Sequence, residues 1–288
     1  MMNQKESYQR HSRLEDQSAS KGRFPPSFTA PDAIDAWRHR RALDLIKPFI
    51  VAHPQATWLT IGDGNFGMDA YHLQGLGVDV LASSLTDSTL KVAAESGYIK
   101  KFESVNAEHI QFDDNHFDYV LCKEAYHHFP RPAIAFYEML RVAQEAVVLI
   151  EPYDGPKRVL DMVKEPMKKL LWGKEQTIHF EPCGNYIYRI NPKQMGKKLV
   201  AMGYTAIAHK TFNDIYLPRY GKSKFGCSVG YVMTRLVLFL LDLLCAFRLM
   251  NPALVGIFCF KKEPSSEQQS ALKKCGFKLT HLPVNPYV

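Results

Sequence analysis

The sequence predicts an α/β fold: a doubly wound, mostly parallel seven-stranded sheet with a C-terminal helical elaboration. Three observations lead there. From residue 57 to residue 150, short and nearly continuous apolar runs alternate with helical patterns, as in a parallel sheet covered on both faces. A glycine-rich turn lies directly between the first apolar run and the helix after it. Beyond residue 151 the alternation loosens, yet two further apolar runs remain to complete the sheet.

At 288 residues, 46% of them hydrophobic and 23% charged, the chain can bury a real core and is not a disordered protein. Its six cysteines include no C-x-x-C pair and no zinc-like spacing, so reduced thiols are expected rather than a disulfide framework. Residues 1–30 read as a flexible lead-in, polar and without the apolar stretch of a signal peptide. Residues 31–152 read as the core and 153–262 as a substrate cap carrying the late strands and an apolar helix over 230–250. Residues 263–288 read as a C-terminal tail. The net charge of +7 is divided unevenly: +13 from residue 156 onward against −6 before it. A basic half beside an acidic one suits an anionic substrate or partner; a solvated basic surface explains it equally well.

Each element has its own signal. Helix 31–50 is capped by Asp32 and carries Ile34, Trp37, Ala42, Leu45 and Ile46 on one face. Strand patterns at 57–61, 78–82, 104–107, 117–122 and 146–150 are separated by helical ones at 65–76, 87–96 and 131–142. Later come a basic helix over 156–172 and a helix over 191–202, with Asn191 as cap and Pro192 at its first position. Strand patterns at 204–209 and 255–261 follow. The apolar stretch 230–250 is interrupted by Arg235, Asp242 and Arg248, and its uncharged run 236–241 falls far short of the ~20 residues a spanning helix needs. It reads first as a buried or lid helix and second as an interfacial helix touching lipid.

The turn after the first strand is Ile61-Gly-Asp-Gly-Asn-Phe-Gly67, which places Gly62, Gly64 and Gly67 on G-x-G-x-x-G. Glycine is needed where the chain turns sharply and a ligand must approach the backbone. Dinucleotide enzymes share this pattern, so alone it does not choose a cofactor.

The segments that follow do. Val80 to Leu90, Val105-Asn-Ala-Glu108, Phe117 to Cys122, Tyr126-His-His-Phe-Pro130 and Val147 to Pro152 come in the order of the motifs of class I S-adenosylmethionine-dependent methyltransferases. Residues 40–152 resemble that family, with a methyltransferase-11-like, Rossmann-like domain. The resemblance implies S-adenosyl-L-methionine as cofactor, held by Thr60, Gly62, Asp63, Gly64, Gly67, Ser83, Ser84, Asn106, Ala107, Glu108 and Lys123. Two positions depart from the family. Thr60 stands where an acidic residue is usual, and Ser83 or Ser84 ends the second strand where a carboxylate usually grips the ribose. A serine there forgoes charge-assisted hydrogen bonds, so an aspartate at position 84 is expected to tighten cofactor binding.

Methyl transfer needs the acceptor placed in line and, for a hydroxyl, its proton removed. The segment Lys123-Glu-Ala-Tyr-His-His-Phe129 ends the fourth strand, where open α/β sheets hold their ligands. His127 or His128 is the candidate general base; packing beside the cofactor is an equal reading for the pair. Glu124 and Glu151 are the alternative catalytic carboxylates. No metal site is expected. The expected reaction is O-directed methylation of a small-molecule or glycan acceptor, anionic or lipid-linked. Two other classes stay open: an NAD(P)-dependent oxidoreductase, and a non-catalytic binding protein using the basic half. Nucleic acid is disfavoured as a partner, and a cytoplasmic location with peripheral membrane contact is the expectation.

Overall fold

The computed structural model describes residues 4–160, 162, 186–284 and 286–287. The helix expected over 156–172 lies almost wholly outside these residues. Strands β1 (Thr57–Ile61), β2 (Asp79–Ser84), β3 (Phe102–Ser104), β4 (Phe117–Lys123) and β5 (Ala143–Pro152) are joined in parallel. β6 (Ala206–Phe212), β7 (Leu254–Phe260) and β8 (Lys278–His281) complete a sheet of order β3-β2-β1-β4-β5-β7-β6-β8, in which β7 runs antiparallel to both neighbours. Strand order reverses between β1 and β4, and ligand clefts of open α/β sheets form at such a point, outside the carboxyl ends of the strands.

The sheet has eight strands where the sequence predicted seven. The extra strand forms within the expected tail, because helix α10 (Ser266–Cys275) anchors it: Ser265 and Gln268 make a reciprocal cap, and Ala271, Leu272 and Cys275 are buried. Gly276 at φ 75° ends that helix, and Phe277 then packs edge-on against Phe258 at 5.2 Å. The third strand also shifts. It ends at Ser104, and residues 105–108 form a turn in which Asn106 Oδ1 accepts from the Glu108 amide at 2.9 Å.

Alternation along each strand feeds two cores. Trp58, Tyr119 and Phe258 face one side with Phe49; Leu59, Val120 and Leu149 face the other with Phe136. Trp58 and Tyr119 stack at 4.7 Å. Phe49 belongs to α4 (Lys47–Ala52) and Phe136 to α7 (Pro132–Val142). The single helix expected over 31–50 is divided into α3 (Ile34–Asp44) and α4, with Pro48 opening the second, and Ala33 rather than Asp32 takes the cap position.

Two helices of the periphery differ from expectation. The polar lead-in contains an 18-residue helix, α1 (Gln4–Lys21), followed by the short α2 (Pro26–Thr29). The apolar stretch forms α9 (Val229–Ala246), of which Gly230, Thr234 and Leu238 are buried. Gly230 sits against Tyr220, Tyr231 meets Trp37 of α3 at 5.2 Å, and Asp242 accepts from Asn213 at 2.7 Å. Val229, Val232, Leu236, Phe239, Leu240 and Leu243 are left exposed, so α9 is not a buried helix; contrary to the sequence reading, its 18 residues are long and apolar enough, by length and composition, to cross a membrane.

Candidate active site

Between β1 and α5 (Met68–Gly75), residues 62–67 form a loop that needs its glycines for three different reasons. Gly62 has φ 76°, and a Cβ there would come within 2.5 Å of Ala125. At Gly64 a Cβ would meet Glu15 Oε1 at 2.6 Å and Ser84 Oγ at 2.8 Å. Gly67 at φ 70° caps α5 with Ile99 and Leu90 against it, a packing role. Asp63 is buried under the loop, accepting from the Asp69 and Ala70 amides at 3.1 and 2.9 Å and from Thr60 Oγ1 at 3.0 Å. Burial, reinforced by the charge of Asp69, pushes its carboxyl up to about 7.

Several residues read as cofactor contacts turn out to be joints beneath the loop. Thr60 spends its hydroxyl on Asp63, and Ser83 donates its hydroxyl to the Thr60 carbonyl at 2.6 Å and its amide to Thr60 Oγ1 at 3.4 Å; both side chains are buried where β1 meets β2. Lys123 is buried with its ammonium 3.3 Å from both Asp69 and Glu124, which locks β4 to α5. Burial opposes its charge, but the two carboxylates hold its pKa above the ordinary lysine value. Glu108 accepts from the amide and Nε of Arg131, each at 2.6 Å, and so fixes the start of α7. Asn106, Ala107 and Glu108 do reach the cavity wall.

That cavity lies at the strand-order reversal. Gly62 and Ser84 form one side, Val105 to Glu108 another, and Ala125, His128 and Phe129 the third. Its cover is α1, through Tyr8, His11 and Glu15. With α1 in place about 120 Å³ remains, against roughly 300–1,000 Å³ for small-molecule sites, so the helix has to shift for a nucleoside to enter. A larger groove of about 960 Å³ runs between Tyr153, Asn191 and Leu282, on residues that include none of the glycine loop.

The loop after β4 holds a hydrogen-bonded histidine–carboxylate pair. Glu151, fully buried at the end of β5, accepts from the Ala125 and Tyr126 amides at 2.8 and 2.9 Å through one oxygen. Its other oxygen lies 2.6 Å from His127 Nδ1. His128 packs on His127 with ring centroids 3.9 Å apart and lies 6.0 Å from His11. Glu151 is thus a support for His127 and not an exposed acid or base. Glu124, at φ 49°, turns toward α3. Burial works against its charge, but Lys123, His39 and Arg38 hold its carboxyl below the usual glutamate range. Arg38 in turn pairs with Asp214 at 2.5 Å and Asp35 at 3.3 Å. Among the described residues no group of three His, Cys, Asp or Glu side chains is placed to hold a metal ion.

Residues 59–150 match the family model of a methyltransferase domain. Over these residues the chain carries a methyltransferase domain. Solved structures share the fold of this methyltransferase at low identity. The YcgJ protein of Bacillus subtilis is 18% identical over 78% of this chain and 100% of that one, with a TM-score of 0.50. A methyltransferase from Archaeoglobus fulgidus is 14% identical over 78% and 94%, at 0.50. Magnesium protoporphyrin IX methyltransferase from Synechocystis, with bound S-adenosylhomocysteine, is 13% identical over 87% and 95%, also at 0.50. No curated protein matches the chain in sequence.

S-adenosylmethionine is the cofactor that the sequence resemblance implies, and the shape of the cleft is compatible with it. Gly62 and Gly64 keep clear the space a Cβ would fill, and the Asn106–Ala107 turn forms another part of the wall. The sequence reading missed Tyr8, His11 and Glu15. Their spacing of three and four residues puts them on one helical face, but in a segment with no apolar stripe that spacing carries no warning.

Proposed function

We propose that this methyltransferase transfers its methyl group to an oxygen of an amphiphilic, anionic acceptor, a small molecule or a glycan carried on a lipid. The observation that carries the O-directed reading is the His127–Glu151 pair. When bound, S-adenosylmethionine supplies the electrophilic methyl group and a neutral thioether leaving group. His127 Nδ1–H donates to the buried carboxylate, so Nε2 is the nitrogen that takes the proton of an acceptor hydroxyl. Glu151 keeps the ring oriented and stabilises the imidazolium, while its two backbone donors hold the carboxylate in place. His128 and Phe129 form the cofactor wall, with Gly62, Gly64, Ser84, Asn106 and Ala107 as the other contacts. Glu124 faces the charged side of α3, where an acceptor would approach. The exposed apolar face of α9 and the basic C-terminal half support an acceptor with an apolar tail and a negative head.

Thermal shift with S-adenosylhomocysteine, NADH and NADPH is the entry test. The first ligand at 100 times its dissociation constant should add about 2.7 kcal/mol and the nicotinamides nothing. Transfer of labelled methyl into lipid extracts then supplies an acceptor. His127→Gln should lower turnover ~10²–10⁴-fold and remove the acid limb of the pH–rate profile, with cofactor affinity unchanged. Full activity in that variant would remove the histidine from the chemistry. Loss of activity in step with cofactor affinity would make it scaffolding.

A further inference from the structure

Strand β2 presents no carboxylate to the cofactor cleft. Asp79 opens the strand on the far edge, exposed and paired with Lys101 at 2.7 Å. Asp87 lies beyond it, before α6 (Ser88–Glu95). A carboxylate is nonetheless present at the strand's end, brought from the opposite end of the domain by α1. Glu15 Oε1 accepts from Ser84 Oγ at 2.7 Å. Oε2 accepts from the Thr86 amide at 3.0 Å and from Thr86 Oγ1 at 2.5 Å. The same Oε1 is the atom a Cβ at Gly64 would strike, so it lies directly over the glycine loop.

The hydrogen-bond capacity of this cluster is not used up. Oε2 already has two donors, whereas Oε1 has one and keeps a further lone pair. Ser84 gives its proton to Glu15, and its own oxygen is then an acceptor. Oε1 and Oγ stand 2.7 Å apart at the cavity wall, two acceptors side by side, which is the complement of a vicinal diol. We propose that Glu15, acting with Ser84, binds the two ribose hydroxyls of the cofactor in place of a carboxylate on β2. The inference rests on the cofactor assignment. It also gives α1 a reason to dock again once the ligand has entered: lacking an apolar face, the helix is seated by polar contacts at the cleft it covers.

Calorimetric titration with S-adenosylhomocysteine tests it, alongside an analogue lacking both ribose hydroxyls. Glu15→Gln should weaken S-adenosylhomocysteine binding ~10–100-fold, the range of a lost charge-assisted hydrogen bond. It should leave the weaker affinity for the analogue unchanged. Ser84→Asp in the wild-type background should weaken binding, because the new carboxylate would face Glu15. This reverses the expectation drawn from the sequence. In a Glu15→Ala background Ser84→Asp should restore binding. Equal affinity of Glu15→Gln and wild type overturns the proposal and leaves the cofactor assignment standing. Tighter binding by the variant also overturns it, since Glu15 would then be a plug. An equal loss with the analogue overturns it too, because Glu15 would act only by seating the helix. Absence of binding by the wild-type protein removes both readings.

Discussion

Helices α1 and α9 are each eighteen residues long, and they are seated by opposite means. α1 has Leu14 as its only aliphatic side chain apart from an alanine, half exposed, and rests on the domain through Tyr8, His11 and Glu15. α9 is apolar almost throughout, yet Gly230, Thr234 and Leu238 are the residues it buries, and its large side chains point outward. Composition therefore misreads both. A polar helix closes over the cleft because its partners there are hydroxyls and an amide. An apolar helix lies at the surface because the only face that fits the domain is its narrow one. That outward apolar face is the surface the proposed lipid-linked acceptor would meet.

The largest expected effect attacks the seat of α1. Gly64→Val puts a side chain where Glu15 and Ser84 approach within 2.8 Å, so S-adenosylhomocysteine affinity should fall at least ~100-fold by calorimetry. Circular dichroism should still report a folded protein, because Gly64 does not have a positive φ. Undiminished affinity would mean that α1 and the glycine loop do not share a ligand. An intermediate effect is expected on α9. Each apolar side chain leaving water contributes ~1.5–3 kcal/mol, so Phe239→Asp with Leu240→Lys should reduce co-sedimentation with anionic vesicles at least ~10-fold. Folding stability should move by no more than about 0.5 kcal/mol per substitution, as at other surface positions. If vesicle binding is unchanged, the exposed face of α9 serves something other than lipid.

The smallest effect concerns Glu124, on the charged side of the site. Its folded pKa is depressed, so the stability it contributes is fully present above the ordinary glutamate pKa of about 4.3 and is lost as pH falls through the lowered value. Glu124→Gln should cost a few degrees of melting temperature at neutral pH and flatten the decline in acid. A variant with an unaltered acid profile would show that Lys123 relies on Asp69 alone.

Much of the sheet was legible. Strand 57–61 was read to the residue, and 117–122, 146–150 and 255–261 lie within one to three residues of the observed ends. Each is dominated by apolar residues buried on both faces, so the pattern survives any detail of packing. β8 was missed because a four-residue edge strand with half-exposed side chains has no such run. The glycine loop was legible because a positive φ and a close approach restrict the residue type locally.

The sequence by itself determined the parallel sheet, the position of the cleft and the residues that keep its floor clear. Those follow from patterns a few residues long. Only the tertiary structure decided which polar groups work inside the cleft. It placed Thr60, Ser83 and Lys123 in joints, Glu151 against His127, and Glu15 on Ser84, a serine 69 residues away in the sequence. A hydrogen bond between two polar side chains leaves no periodic trace in a sequence, because nothing in either neighbourhood distinguishes a buried pair from two solvated residues until the chain has folded.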